Sequence, residues 1–447
     1  MATTENTAST FRIGAARRIV NNHVGGRVQG AGVAKRATEI RDDLEANALY
    51  LSGGRTQLLI ISCDLVGLPS PWVVDTREAI AAATGVPPRS VLISCTHTHG
   101  GPSVLKTNYL MPVDTGYLDR LNDWLVDVAA RAIETAQPGA IGWAKGEALV
   151  GHNRRVCWAD GTHSMYGDTS RPDFAGLEGP TNPQHVALFA ANAEGKPVAV
   201  VHHNTTHPTV FYAAGVYTAD IPGVARDLVR KKLGDIPVLF LNGAQGDIAI
   251  EDVLEPREES REEKLQRVGR MVAEETLRLR KNVVYDKQPV LAHAYEDLEV
   301  DVRLPDPERV AEARAVLARI DAGEDIRGMD MIMAFGTVDL QERFGANPVD
   351  TVSVHALRIG DVALVSQPCE LYCQFGLDIA LRSPAPITAV VGLTDGYCGY
   401  CPTVYGELGG GYSGEPISWT RLEAHAGYRI VESAGRLLNQ LWRDNGG

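Results

Sequence analysis

Long apolar runs, cysteine-rich stretches and an excess of basic residues are all missing from this chain of 447 residues. No apolar segment approaches the ~18 residues that a membrane-spanning helix needs, which argues against an integral membrane protein. The first residues lack the basic and apolar regions of a secretory signal peptide, and this predicts a cytoplasmic location. Lys and Arg number 43 against 56 Asp and Glu, so the net charge of −13 argues against a nucleic-acid or anionic-membrane partner.

Cysteine is scarce as well, with seven residues in the whole chain, an odd number. In a long chain this pattern predicts reduced, mostly buried thiols in a reducing compartment, and not a framework of disulfide bonds. Hydrophobic residues make up 44% of the sequence and charged residues 22%, which is enough for a sizeable core. With no repeat and no low-complexity linker, we predict one compact unit over residues 1–447. The sequence does not fix the oligomeric state, and an oligomer is compatible with it.

Short apolar segments alternate with amphipathic ones along the chain. The apolar segments predict strands at 57–64, 90–95, 185–191, 196–203 and 237–242. The amphipathic segments predict helices at 72–84, 118–136, 261–280, 307–322 and 421–443. This alternation predicts an α/β fold in which helices are layered on a mixed, partly parallel sheet. The segment 323–347 is rich in Gly, Met and Asp and is interpreted as a long loop or lid, or as a plain surface insertion.

Histidines follow two of the predicted strands. His97 and His99 stand two residues apart after 90–95, a spacing that places both rings on one face of an extended backbone. Such a pair suits a metal, or a metal and a substrate, and a solvated pair at a turn is the alternative. His202 and His203 end the predicted strand 196–203 and His207 follows it, and one of the three is expected to be a ligand while the others bond to the backbone.

Two further turns carry polar groups. Asp247 lies in a small-residue turn after 237–242, where it would orient a histidine or bind a substrate, unless the turn merely needs its glycines. Near the C-terminus, Glu370 and several tyrosines follow apolar strands. Glu is an oxygen ligand suited to zinc beside imidazoles, and buried tyrosines can donate to a developing oxyanion.

The cysteines of the same region offer a rival site. Cys369 and Cys373 are four residues apart, and Cys398 and Cys401 three apart, so together they could form a structural four-cysteine zinc site. Buried unpaired thiols are the alternative that we favour.

Nine segments of the chain, in order, resemble the catalytic domain of the neutral, non-lysosomal ceramidase family. They are LLIISCDLVGL, SVLISCTHTHGGP, NRR at 153–155, TTHPTV, YTADIPGVAR, FLNGAQGDIA, QPCE, GLTDGYCGY and GGGYSG. The resemblance runs from about residue 14 to the last predicted helix. It implies the fold of that catalytic domain, dependence on zinc, and hydrolysis of an amide.

The resemblance also implies roles for particular residues. The zinc ligands would be His97, His207, Glu370 and Tyr400. His99 would face the scissile carbonyl and Tyr412 would help to hold the oxyanion. Spacing alone would make both His97 and His99 ligands, and the family pattern favours the split role. Asp247 is kept as a catalytic candidate, and three residues are expected to bind substrate: Arg154, Asn153 and Gly246.

The chain departs from the family pattern in three respects. The family's Gly-Asp-x-Ser segment ends here in Ala249, so no role of that serine hydroxyl transfers. We also expect neither the C-terminal β-sandwich domain of the long members nor an apolar membrane-docking segment. These differences weaken the case for ceramide itself and leave the zinc chemistry intact.

The sequence therefore predicts a zinc-dependent hydrolase that cleaves the C–N amide bond of a small soluble substrate with zinc-bound water. One alternative is hydrolysis of a lactone, an ester or a cyclic amide by the same route. Another is a metal-binding homologue that has lost catalysis together with the serine.

Overall fold

The computed structural model describes residues 10–30, 35–107, 109–110 and 112–443. In chain order the strands are β1 Arg12–Ile19, β2 Arg27–Val28, β3 Lys35–Arg36, β4 Glu45–Gly53, β5 Thr56–Cys63, β6 Val91–Cys95, β7 Gln137–Glu147, β8 His152–Asn153, β9 Arg155–Trp158, β10 His163–Met165, β11 Phe174–Leu177, β12 Gln184–Asn192, β13 Pro197–Asn204, β14 Val238–Asn242, β15 Ile248–Ala249, β16 Tyr285–Asp286, β17 Leu291–Asp301, β18 Val349–Ile359, β19 Val362–Ser366, β20 Cys369–Leu371, β21 Ile387–Val391 and β22 Gly399–Cys401.

The helices, with one 3₁₀ turn at Pro88–Ser90, are α1 Ser70–Thr84, α2 Thr115–Glu134, α3 Asp220–Leu233, α4 Arg261–Arg280, α5 Pro307–Asp321, α6 Met329–Phe344, α7 Cys373–Arg382, α8 Val404–Leu408 and α9 Ala426–Arg443. The predicted strands appear as β5, β6, β12, β13 and β14, and the predicted helices as α1, α2, α4, α5 and α9. Measured over the described residues, no helix combines the length and the apolar character that a bilayer crossing requires.

Two sheets stack face to face and share an apolar core. The larger one has the strand order β14-β13-β12-β7-β1-β4-β5-β6, with β16 added beside β7, and the smaller one has the order β17-β18-β19-β21. Leu49, Ile60 and Leu241 of the larger sheet pack in one cluster with Leu357 and Leu364 of the smaller sheet. Both sheets are mixed, because β5–β6, β13–β14 and β19–β21 are parallel pairs and most others are antiparallel.

Helices cover the outer faces of both sheets. Helices α1 and α2 pack on the larger sheet at β4 to β6, and α3 and α4 pack on it at β12 to β14. The smaller sheet is covered by α5, α6, α7 and α9. Each strand thus alternates its side chains between a helix layer and the shared core. The result is a four-layer α/β/β/α arrangement, which confirms the predicted α/β fold with layered helices and a mixed sheet.

The prediction of a loop or lid at 323–347 is wrong. Residues 329–344 form α6, whose inward face carries Met331, Phe335 and Val338. These three residues have the i, i+4, i+7 spacing of a helix, but the Gly, Met and Asp content of the segment obscured it. The last helix also begins five residues later than predicted, at Ala426. Arg421, at the predicted start, lies before the helix, and its side chain donates to Asp350 of β18 at 2.7 Å.

Three histidines are buried under α4 and near β21. His185 and His202 both lie within hydrogen-bonding distance of the Thr276 hydroxyl, at 2.9 and 3.2 Å, and His203 faces the Val390 carbonyl at 2.8 Å. Burial lowers their pKa values, to about 4 for His185, about 3 for His202 and about 4 for His203. The folded protein therefore keeps these imidazoles neutral under conditions in which an unfolded chain would protonate them.

We expect these histidines to make the fold sensitive to acid. Between the ordinary histidine pKa of about 6.5 and the lowered values, the unfolded chain binds more protons than the folded one, so the free energy of unfolding falls as the pH falls. The expected loss from pH 7 to pH 5 is about 2 kcal/mol for each histidine. Urea unfolding at several pH values measures this slope. His203→Gln should reduce the slope of this pH dependence by the contribution of one histidine. An unchanged slope in H203Q would contradict the assignment.

Candidate metal centre

The two edge strands of the larger sheet, β6 and β14, come together at their carboxyl ends. Asn242 at the end of β14 donates its side-chain amide to the Thr96 carbonyl just beyond β6, at 3.1 Å. The segment after β21 fills the gap between them, because Gly392 N donates to the Asn242 carbonyl and Cys95 N donates to the Leu393 carbonyl. The larger sheet therefore curls until its two edges meet. This brings together the turns that follow β6, β13, β14 and β21, which are far apart in the sequence.

His97, His99 and His207 meet at this junction. His97 and His207 are buried, and His99 is half-buried. Each imidazole has its Nδ1 atom directed at a backbone carbonyl, and the three carbonyls belong to Val66 at 2.6 Å, Gly30 at 2.7 Å and Gln245 at 3.4 Å. Since one nitrogen of each ring is held in this way, the Nε2 atoms face one another, as in metal sites whose ligands are oriented by backbone carbonyls.

The distances between the facing atoms suit a metal ion. His97 Nε2 lies 3.1 Å from His207 Nε2 and 3.3 Å from His99 Nε2. Glu370 Oε2 lies 3.4 Å from His97 Nε2 and 4.0 Å from His207 Nε2. Ligand atoms bound to tetrahedral zinc at its usual bond lengths are about 3.4 Å apart. The three imidazoles are thus close enough together to share one ion, and Glu370 Oε2 adjoins two of them, His97 and His207.

The protonation of these groups also suits a cation. Burial, reinforced by the neighbouring His97 imidazole, lowers the pKa of His99 to about 3, and burial lowers the pKa of His207 well below its usual value. Burial opposes ionisation of Glu370, yet His97 and Tyr397 beside it hold its pKa below the usual value. Neutral imidazole and ionised carboxylate are the forms that bind metals. Glu370 Oε2 is moreover a buried atom without a hydrogen-bond partner, as expected of an oxygen reserved for an ion.

Glu370 and Tyr400, which follow apolar strands in the sequence, themselves lie on two short parallel strands. β20 pairs with β22, and in that pairing Glu370 and Tyr400 are direct partners. Burial and the nearby Glu370 carboxylate raise the pKa of Tyr400 well above its usual value. Tyr400 therefore lies beside Glu370, and both are predicted ligands.

Arg154 and Gly246 lie against the same strands. Arg154 Nη2 donates to the Gly246 carbonyl at 2.9 Å and approaches the Tyr400 hydroxyl at 3.4 Å, while Nη1 is 3.5 Å from the Tyr166 hydroxyl. Arg154 is buried, and these contacts of its guanidinium are with one carbonyl and two phenol hydroxyls. Gly246 N donates to the Leu371 carbonyl, so the turn after β14 touches the strand that carries Glu370.

Asn153 and Asp247 have structural partners. Asn153 Nδ2 donates to Asp247 Oδ2 at 2.8 Å, and Cys373 N at the start of α7 donates to Asp247 Oδ1 at 2.7 Å. Burial raises the pKa of Asp247 to about 7. These contacts tie the turn after β14 to β8 and α7, and none of them joins Asp247 to the histidines. A catalytic role for Asp247 and substrate binding by Asn153 remain predictions.

Aromatic side chains border the cluster on its open side. Tyr412 packs edge-on against Tyr400 with ring centres 5.7 Å apart, and burial followed by the nearby Glu370 raises its pKa, so its hydroxyl keeps its proton and can donate. Tyr212, which is 43% exposed, has its ring 6.1 Å from His99. His99 and the two tyrosines therefore lie on the less buried side of the cluster.

Two aromatic residues near the cluster, Tyr397 and Tyr212, were not identified from the sequence. Tyr397 donates its hydroxyl to Glu370 Oε1 at 2.8 Å and thereby orients the other carboxylate oxygen toward the histidines. Tyr397 is the first tyrosine of the segment GLTDGYCGY and Tyr400 is the second, so this segment could have identified Tyr397 as a candidate. Tyr212 lies in the irregular stretch after His207, and nothing in its local pattern marks it.

The four cysteines near the C-terminus do not form a second metal site. All seven cysteines are buried free thiols, which confirms the expected burial. Over the described part of the chain, the group of side chains close enough together to hold an ion contains three histidines and no cysteine. Cys373 starts α7 beside Asp247, whereas Cys369 and Cys401 lie on β20 and β22. The serine position of the family is occupied by Ala249, which lies buried in β15 opposite His152.

Sequence comparison with family models and with curated proteins finds no match. Comparison with solved structures finds matches to ceramidases. The neutral ceramidase from Pseudomonas aeruginosa matches with a TM-score of 0.74 at 16% sequence identity, over 97% of this chain and 75% of that one. A structure of a ceramidase complexed with C2 matches with the same TM-score and identity, over 98% of this chain and 76% of that one. The α/β/β/α architecture of this chain is therefore the fold of the neutral ceramidases.

Proposed function

We propose that this protein is a zinc-dependent hydrolase that cleaves the C–N amide bond of a small soluble substrate. The observation that carries the proposal is the convergence of the imidazole Nε2 atoms with a buried, unpartnered carboxylate oxygen of Glu370. His97, His207 and Glu370 would hold the ion, with Tyr400 beside them. The resemblance of the fold to amide-cleaving ceramidases supports an amide as the bond that is hydrolysed.

A zinc ion bound there would supply Lewis acidity, polarising a carbonyl and lowering the pKa of a water molecule. The residues of this chain do the rest. His99 is half-buried on the open side, with its Nδ1 held by the Gly30 carbonyl, so its Nε2 is fixed toward the reacting group. Tyr412 keeps its proton and is placed to donate a hydrogen bond to the developing oxyanion.

Arg154 adds a fixed positive charge behind this arrangement. Burial opposes its charge, but the surrounding phenols and the Glu370 carboxylate raise its pKa, so the guanidinium stays protonated. Because Arg154 is already bonded to the Gly246 carbonyl, it stabilises negative charge without having to reorganise. Ala249 offers no hydroxyl, so no serine nucleophile is available at that position.

A chelator experiment tests the proposal. We expect the purified protein to hydrolyse chromogenic 4-nitroanilides, to lose this activity when the metal is removed by a chelator, and to regain it with about one equivalent of zinc per chain. Elemental analysis measures the metal, and the matched 4-nitrophenyl esters serve as the control for the type of bond. Activity toward esters alone would replace the amide by an ester or lactone. Stoichiometric zinc without turnover of either series would indicate a non-catalytic metal-binding protein.

A further inference from the structure

The small sheet β10-β9-β11 lies outside the metal centre, yet two of its strands and the residue after the third contribute buried polar side chains to one cluster. Arg155 lies on β9, His163 on β10, and Glu178 directly follows β11. Glu178 Oε2 accepts from Arg155 Nε at 2.7 Å and lies 2.6 Å from His163 Nδ1. All three side chains are at most 2% exposed. We call these three residues the Glu178 clamp.

The Glu178 clamp is directed at the segment 403–415, which carries Tyr412. Arg155 Nη2 donates to the carbonyls of Gly406, at 3.1 Å, and Gly410, at 2.9 Å. The backbone N–H of His163 donates to the Gly409 carbonyl at 2.8 Å. Three carbonyls in the five residues before Gly411 are therefore fixed by the clamp.

The segment fits the clamp closely. A Cβ atom added at Gly409 would lie 2.1 Å from the His163 ring, and one added at Gly406 would lie 2.4 Å from Glu178 Oε1. These glycines let the backbone touch the clamp directly. By contrast, Leu408 is 79% exposed, so the outer side of this segment has little apolar burial to hold it in place.

The other end of the segment is fixed independently. Arg303 Nη1 donates to the Gly414 carbonyl at 3.1 Å, and the Tyr372 and Ser413 hydroxyls are 2.7 Å apart. Tyr412 thus lies between two anchors, with the Glu178 clamp on its N-terminal side. From this frame its ring reaches Tyr400 at the metal centre.

We propose that Glu178 is a positioning residue that acts through Arg155 and His163 to hold Tyr412 at the metal centre. Separating a buried carboxylate from its guanidinium and imidazole partners leaves uncompensated charge, so the carboxylate favours one arrangement of the groups that it joins. The inference rests on the proposed function for its effect on catalysis, but the geometry of the clamp does not depend on it.

A double-mutant cycle tests the proposal. We expect Tyr412→Phe to lower kcat by about a hundredfold, as for other lost oxyanion donors. Glu178→Gln should lower kcat by about ten- to a hundredfold through misplacement of Tyr412, with little change in KM. Because both act on one interaction, the double variant should fall within about twofold of Y412F alone. If the loss of kcat in the double variant is the product of the losses in the two single variants, the proposal is overturned.

Hydrogen exchange provides a readout that does not need activity. In Glu178→Gln, the amides of 403–415 should exchange at least about tenfold faster than in the parent protein. The matched control is Glu275→Gln on α4, which removes another largely buried carboxylate, paired with Arg278, and should change neither that exchange nor kcat. If the parent protein hydrolyses no amide, the proposed function fails while faster exchange in E178Q still supports the clamp. Unchanged exchange in E178Q, or equal changes in E275Q, would overturn the proposal.

Discussion

His97→Ala is expected to leave the protein without stoichiometric zinc and with at least about a hundredfold less hydrolytic activity. His97 Nε2 is the atom common to the contacts with His207, His99 and Glu370. Its removal leaves Glu370 Oε2 and His207 Nε2 without the partner that completes a ligand set. Elemental analysis of the purified variant, together with its kcat/KM, measures both effects. A variant with full zinc and full activity would show that the centre is misassigned.

His99→Ala is the informative partner of that experiment. By distance His99 is as close to the cluster as a ligand, but it is half-buried and faces Tyr212 on the open side. We expect H99A to keep its zinc and to lose activity, which would assign His99 to the substrate. Loss of zinc in H99A would make it a ligand in place of Glu370 or Tyr400.

Gly246→Ala is expected to have the second largest effect. A Cβ atom at this position would lie 2.3 Å from the Glu370 carbonyl oxygen and 3.0 Å from the Tyr372 ring. The backbone of Gly246 is not in the left-handed region, so the effect is one of space alone. The turn or β20 must shift, which costs about 1–3 kcal/mol of stability and moves the Glu370 carboxylate. A shift approaching 1 Å at a catalytic group lowers activity up to about a hundredfold.

The control for this substitution is Gly435→Ala in α9. There the added Cβ would meet only Arg382 Cβ, at 3.8 Å, and alanine in a helix interior should stabilise by about 0.5–1 kcal/mol. Thermal unfolding, zinc content and kcat/KM of G246A and G435A separate the two effects. Normal activity and zinc content in G246A would show that this turn does not position Glu370, and would leave substrate binding as the remaining reason for the glycine.

The local hydrophobic pattern was sufficient to predict most of the helices and strands. It failed where the residue composition obscured that pattern. The apolar runs that became β5, β6, β13 and β14 bury both faces, so their length and their turn residues identified them. Helix α6 was missed because its Gly, Met and Asp residues resemble those of a loop. The short strands β20 and β22 were missed because three residues cannot show a period, and only their pairing with each other makes them strands.

For the histidines too, the sequence predicted part of the outcome and the tertiary structure decided the rest. Their positions after strands made His97 and His207 candidates from the sequence, and His202 and His203 were separated from them only when burial beneath α4 and near β21 became visible. Asp247 followed a strand in the same manner, yet its contacts are with Asn153 and the start of α7. A strand end offers a residue to the edge of a sheet, but the direction of its side chain depends on neighbours that are distant in the sequence.

By itself the sequence determined the types of the elements, the layered α/β fold and the polar groups at strand ends, because these depend on hydrophobic period and on turn residues within a few positions. The tertiary structure alone decided which groups meet. His97, His207 and Glu370 lie more than a hundred residues apart from one another, and they converge because the larger sheet curls until β6 and β14 face each other across the segment that follows β21. That closure depends on the packing of whole layers, which no local stretch of residues encodes.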